Sequence, residues 1–111
     1  MSEADPALRL LGLAARAGVV VPGTERVRDA AAAGGVRFAI VAADASENSR
    51  AKLLPVLMSN AIAFAVAFDR DRLGAAVGRA PLSAVAVADA SLAQRIMELI
   101  GPDPASRKQV P

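Results

Sequence analysis

Two patterns of apolar residues alternate along this chain, helical spacing and short unbroken runs. The first helical stretch opens at Asp5-Pro6, an acid able to cap followed by a proline suited to the first helical position. It runs through ALRLLGLAARA, where Leu8, Leu11, Leu13 or Ala14, and Ala15 form an apolar face, and Gly18 ends it. Arg9 and Arg16 share the opposite, wet side. Val19–Val21 reads as a very short strand before Pro22. The stretch Pro22–Gly35, PGTERVRDAAAAGG, then predicts a helix of about ten residues, with Thr24 as its N-cap and Gly34-Gly35 as its stop.

Residues Arg37–Ala42 are continuously apolar after the arginine, as expected of a central strand covered on both faces. Asp44 or Ser46 is placed to cap a helix over Glu47–Leu57, with Leu53, Leu54 and Leu57 inward; Pro55 predicts a kink or an early break. Ala61–Phe68 follows as a strand, Asp69 caps a short helix ending at Gly74 or Gly78, and Ala84–Ala88 is the last strand. Asp89–Ile100 closes the series as an amphipathic helix. Helices alternating with four short strands define an α/β protein, a three-layer α/β/α sandwich with a four-stranded mixed sheet. Residues 1–100 read as a single domain, and the proline-rich tail 101–111 as disordered.

Composition narrows what such a domain can do. Apolar residues make up 54% of the 111, yet only three are aromatic, all Phe. The core must therefore be built from Ala, Val, Leu and Ile, in thin layers, and base-stacking aromatic platforms are ruled out. With neither Cys nor His, disulfides, zinc sites, thiol nucleophiles and imidazole catalysis are excluded together. No two carboxylates converge in the pattern, and Gly74 and Gly78 do not have phosphate-loop spacing. No enzyme activity, cofactor or metal is expected. No apolar run approaches the roughly 18 residues of a membrane span, and no signal peptide opens the chain. The reading is a cytoplasmic domain with no membrane partner.

Thirteen basic residues against eleven acidic ones leave a net charge of only +2, so any nucleic-acid surface must be local. One stretch offers such a surface. Glu25, Arg26, Arg28 and Asp29 crowd the first turns of a helix led by Gly23 and Thr24, and a helix N-terminus is a natural seat for phosphate. On local physics alone, ordinary capping is the favoured reading of Gly23-Thr24-Glu25. Asp44 and Ser46 read as capping groups, and Glu47, Arg50 and Lys52 as a solvated face whose two cations flank the surface at most.

The segments LLGLAARAG at 10–18, PGTE at 22–25, AIVAADASENSRAKL at 39–53 and RLGAAVGRAPLSAVAVAD at 72–89, in that order and spacing, carry a resemblance. The chain resembles the kink-turn-binding ribosomal-protein superfamily of the L-seven-Ae type, and within it the bacterial YlxQ-like RNA-binding proteins. The resemblance implies an α/β/α fold whose partner is structured RNA, a sharply bent duplex with tandem sheared G·A pairs. It further implies two contact surfaces, Gly23 to Asp29 and the loop from Arg79 through Leu82 and Ser83 to Ala84. Where the family commonly carries an Asn-Glu pair and a Lys three residues on, this chain has Glu25, Arg26 and Asp29. Asp29 thus places a negative charge where the family offers a positive one, and Arg28 points about 100° away around the helix. The function implied is non-catalytic recognition of ribosomal or other translation- or transcription-linked RNA, with proteins of those assemblies as further partners. The alternative is a protein-interaction module on the same fold that has lost kink-turn binding.

Overall fold

The computed structural model describes residues 5–101. Five helices and four strands alternate without exception: α1 (Pro6–Arg16), β1 (Val20–Pro22), α2 (Thr24–Ala32), β2 (Phe38–Val41), α3 (Glu47–Ser59), β3 (Phe64–Val66), α4 (Arg70–Ala76), β4 (Ala84–Val87) and α5 (Ala90–Ile100). The tail expected to be disordered lies, beyond Gly101, outside the described residues.

The strands form one sheet in the order β1-β4-β2-β3. Only β2 and β3 run parallel; β4 is antiparallel to both β1 and β2, so the sheet is mixed. Every residue of β2 and β4 is buried, which explains why their sequences are unbroken apolar runs instead of alternating ones. Pro22, which lacks an N–H to donate, falls on the edge strand β1, where a ladder bond is dispensable. Helices α2 and α3 pack together in one layer, while α1 packs on α4 and α5 in the other.

Small residues set the thickness of these layers. Ala39 sits beside both Ala86 and Phe64 across the sheet, and Ala14, Ala31 and Ala93 bring the helices close. Phe38, Phe64, Leu11, Ile40, Leu53, Leu57, Leu73 and Ile96 fill the remaining volume. Of the two choices for the apolar face of α1, Ala14 is fully buried and Leu13 is 48% exposed.

Several boundaries differ from the sequence reading, each for a local reason. Thr24 is the first helical residue of α2, and Gly23 is its N-cap, so no side chain caps this helix. Helix α3 runs through Pro55 to Ser59 without the early break. Pro55 and Ala51 both face solvent, so water can take the carbonyl that the missing N–H would have bonded. Strand β3 is shorter than Ala61–Phe68, because Ala61 and Phe68 both have positive φ, 55° and 63°, which breaks the extended backbone at each end. Ser46 caps α3 through the Ser49 N–H, while Asp44 turns away to α4, where Oδ1 accepts the Arg70 N–H at 2.9 Å and Oδ2 pairs with Arg70 Nε at 3.5 Å.

Candidate nucleic-acid interface

Glycine 23 joins the two surfaces implied by the resemblance. Its φ of 98° and ψ of 146° lie where a Cβ is not tolerated, which is why a glycine stands there. In that conformation its N–H donates to the Ala84 carbonyl at 2.8 Å, and its own carbonyl accepts the first helical bond, from Val27, at 2.9 Å. The junction of β1 with α2 is thereby tied to the start of β4. Segments Gly23–Asp29 and Arg79–Ala84, far apart in the chain, meet at one end of the sheet.

The first amide groups of any helix lack intrahelical carbonyls. At the other four helices a side chain accepts from them: Asp5 at α1, Ser46 at α3, Asp69 at α4 and Asp89 at α5. At α2 none does. The Thr24, Glu25 and Arg26 amides, with the positive end of the helix dipole behind them, are open to an acceptor from outside. Arg26 is exposed, and among the described residues it has no ion-pair partner.

Arg28 is occupied. Its Nη2 pairs with Glu25 Oε1 at 2.9 Å and lies 3.7 Å from Asp29 Oδ1, so it is held along α2 and does not extend from it. The other oxygen of Glu25 takes the Lys52 ammonium at 3.0 Å, a contact that bridges α2 and α3. The Lys52 hydrogen bond, and then the charges of Arg28 and Lys52, hold the Glu25 carboxyl below its usual value. Lys52 therefore belongs to this surface more closely than its place on a solvated face implied. The signal that could have found it is the acid at 29, where a cation was expected, with Lys52 on the helix that packs against α2. Arg50 does not join it, since its guanidinium donates to the Ala43 carbonyl at 2.7 Å and ties α3 to the loop before it.

The second surface is seated by backbone contacts. A Cβ on Gly74 would stand 2.2 Å from the Ala80 carbonyl oxygen, so the loop lies directly on α4 only because residue 74 has no side chain. The Leu82 N–H donates to the Arg70 carbonyl at 3.1 Å and the Ser83 carbonyl accepts from Ala42 at 2.8 Å. Arg79 is exposed, and Leu82 and Ser83 are half-buried. Ala84 is different: it is fully buried in β4, so its side chain cannot reach a ligand, and its part is the carbonyl that holds Gly23.

The profile of the Ribosomal protein L7Ae/L30e/S12e/Gadd45 family matches residues 6–96, nearly every described element. The chain belongs to this family. No enzymatic family is indicated for it. Among solved structures, this L7Ae-family chain is similar to a protein with unknown function from Bacillus halodurans C, with 35% identity and a TM-score of 0.81. The match covers 86% of this chain and 96% of that one. It is also similar in fold to the Giardia lamblia 15.5kD RNA binding protein, with 17% identity and a TM-score of 0.72 over 93% of this chain and 86% of that one. None of the curated proteins compared matches. Among the described residues no helix is long and apolar enough to cross a membrane, and no cluster of metal-ligating side chains occurs.

Proposed function

We infer that this L7Ae-family chain is a non-catalytic RNA-binding protein whose partner is a structured, kink-turn-like RNA of ribosomal or other translation- or transcription-linked origin. The observation that carries the reading is the uncapped N-terminus of α2, joined by the Gly23–Ala84 bond to the Arg79–Ser83 loop. The family and the RNA-binding protein of the same fold support RNA as the partner. A bent RNA exposes base edges that an A-form groove hides, and a helix N-terminus offers amides to its phosphates.

In this reading Arg26 meets a phosphate or a guanine edge, for which a guanidinium fork is suited. The Gly23 and Thr24 backbone positions phosphate, Arg79 adds a second cation, and Leu82 and Ser83 pack against the sheared pairs. Glu25 holds Lys52 and Arg28 in place, and Lys52 supplies the charge that Asp29 reverses.

Fluorescence anisotropy with a kink-turn RNA, against a duplex whose G·A pairs are replaced by Watson–Crick pairs, tests this at two salt concentrations. Tight binding that depends on the G·A pairs supports it. Equal, weak and salt-erased binding of both RNAs would leave only phosphate attraction. The protein-interaction reading would then take its place, favoured by the ion pairs that hold Arg28 on Glu25 and Asp29.

A further inference from the structure

On the other helical layer, α1 and α4 flank an open groove of about 630 Å³. Its floor is aliphatic, formed by Leu8, Leu13 and Ala76, and Arg9, Arg16 and Arg72 stand around it. We propose that this groove is a docking site for an acidic amphipathic helix of a partner protein, with aliphatic side chains on the floor and carboxylates on the three arginines.

Three observations point to that occupant. Leu13 is 48% exposed on a helix whose neighbouring positions Leu11 and Ala14 are fully buried, so an apolar side chain is spent on the groove and not on the core. Secondly, Arg9, Arg16 and Arg72 have no carboxylate partner among the described residues, whose ion pairs join only Arg28, Lys52 and Arg70 to acids. Three unpaired guanidinium groups around an aliphatic floor are complementary to an apolar segment flanked by acids, because each can grip a carboxylate through two N–H groups while its stem covers apolar surface. Thirdly, the floor is built by close approach. A Cβ on Gly12 would lie 3.0 Å from the Ala76 carbonyl oxygen, so the bare glycine lets α4 settle against α1 and leaves a shallow trough above.

The volume falls within the usual range for ligand pockets, and a helix laid in a groove anchors through aliphatic residues at i and i+3 or i+4. RNA is the poorer fit here, since the lining has no aromatic face on which a base could stack. The groove belongs to the layer of α1, α4 and α5, and the α2 surface to the layer of α2 and α3. The Arg79–Ser83 loop rests on α4, one wall of the groove, and the docking proposal stands whether or not the RNA reading does.

A phage-displayed library of random peptides, selected on the full chain, tests the proposal. Selected peptides are then measured by anisotropy against the wild type, Leu13→Gln, and the double variant Arg9→Glu with Arg72→Glu. Both arginines lie in the first half of their helices, where an added glutamate suits the dipole, and Leu13 is half-exposed, so all these proteins are expected to fold. The expected result is enrichment of Asp or Glu around aliphatic residues at helical spacing, with affinity falling at least about tenfold in the double variant and also falling in Leu13→Gln. Kink-turn RNA affinity is expected to stay unchanged in both. Peptides without acid enrichment, peptides indifferent to Leu13→Gln, or none that depends on these residues would overturn the proposal. So would a double variant that loses RNA and peptide together, which would make the groove part of an RNA surface.

Discussion

The start of α2 and the start of α5 present the same backbone problem with opposite solutions. At α5, Asp89 takes the Leu92 N–H at 2.8 Å and the helix is satisfied from within. At α2, a glycine with φ of 98° stands in the capping position and offers no acceptor. A side-chain cap is worth roughly a few tenths of a kcal/mol over a glycine, so Gly23 forgoes only a little of the stability that the other four helices take. What it provides instead is reach. Its turned backbone donates to Ala84 and brings open amides beside a rigid loop. An uncapped helix terminus held beside a second segment leaves amides free for an outside acceptor, whereas a capped one does not.

The comparison can be broken first at the loop. Gly74→Ala forces a methyl group to 2.2 Å from a backbone oxygen, and an expected loss of about 2–3 kcal/mol in urea unfolding, with RNA affinity falling too, would show that the loop's seat matters to both. Unchanged stability would mean that the loop shifts freely and is no fixed surface. Next in size, Arg26→Ala should cost about 1–3 kcal/mol of RNA affinity if its contact is a base edge, while leaving the melting temperature alone. An unaltered affinity removes Arg26 from the interface.

Asp89→Ala sharpens the contrast from the other side. It should lower stability by about 1 kcal/mol in chemical denaturation and leave RNA binding untouched, since α5 carries a cap and no site. For Asp29→Lys, which restores the family's charge, a gain in RNA affinity of about 1 kcal/mol and a steeper salt dependence are expected in titrations at several ionic strengths. No gain would mean that position 29 faces away from the RNA.

The smallest effect is electrostatic. Glu25 has its pKa lowered in the folded protein, chiefly by the Lys52 hydrogen bond. The stabilisation it provides is therefore present above the ordinary carboxylate pKa and disappears as pH falls through the lower folded value. The stability gap between wild type and Glu25→Gln should be small at neutral pH, because the pair is exposed to solvent, and should close in acid. A gap that grows in acid would contradict the Lys52–Glu25 contact.

The sequence by itself determined the order of helices and strands, the caps of α1 and α4 (with Asp44 and Ser46 as alternatives at α3) and the buried centre of the sheet. These follow from short-range chemistry: a proline after an acid, an aspartate before an amphipathic run, and a stretch such as Phe38–Val41 that no water-facing strand would carry. The family was legible too, because its segments keep their order and spacing. Tertiary structure alone decided how the candidate site is assembled. That Gly23 and not Thr24 is the N-cap of α2 goes with a bond to Ala84, and that Lys52 joins Glu25 depends on α3 lying against α2. The same holds for Asp44, which serves α4 and not α3, and for Leu13, left outside while Ala14 goes in. Each of these choices is made by a partner distant in the chain, and local propensity carries no information about which distant group will arrive.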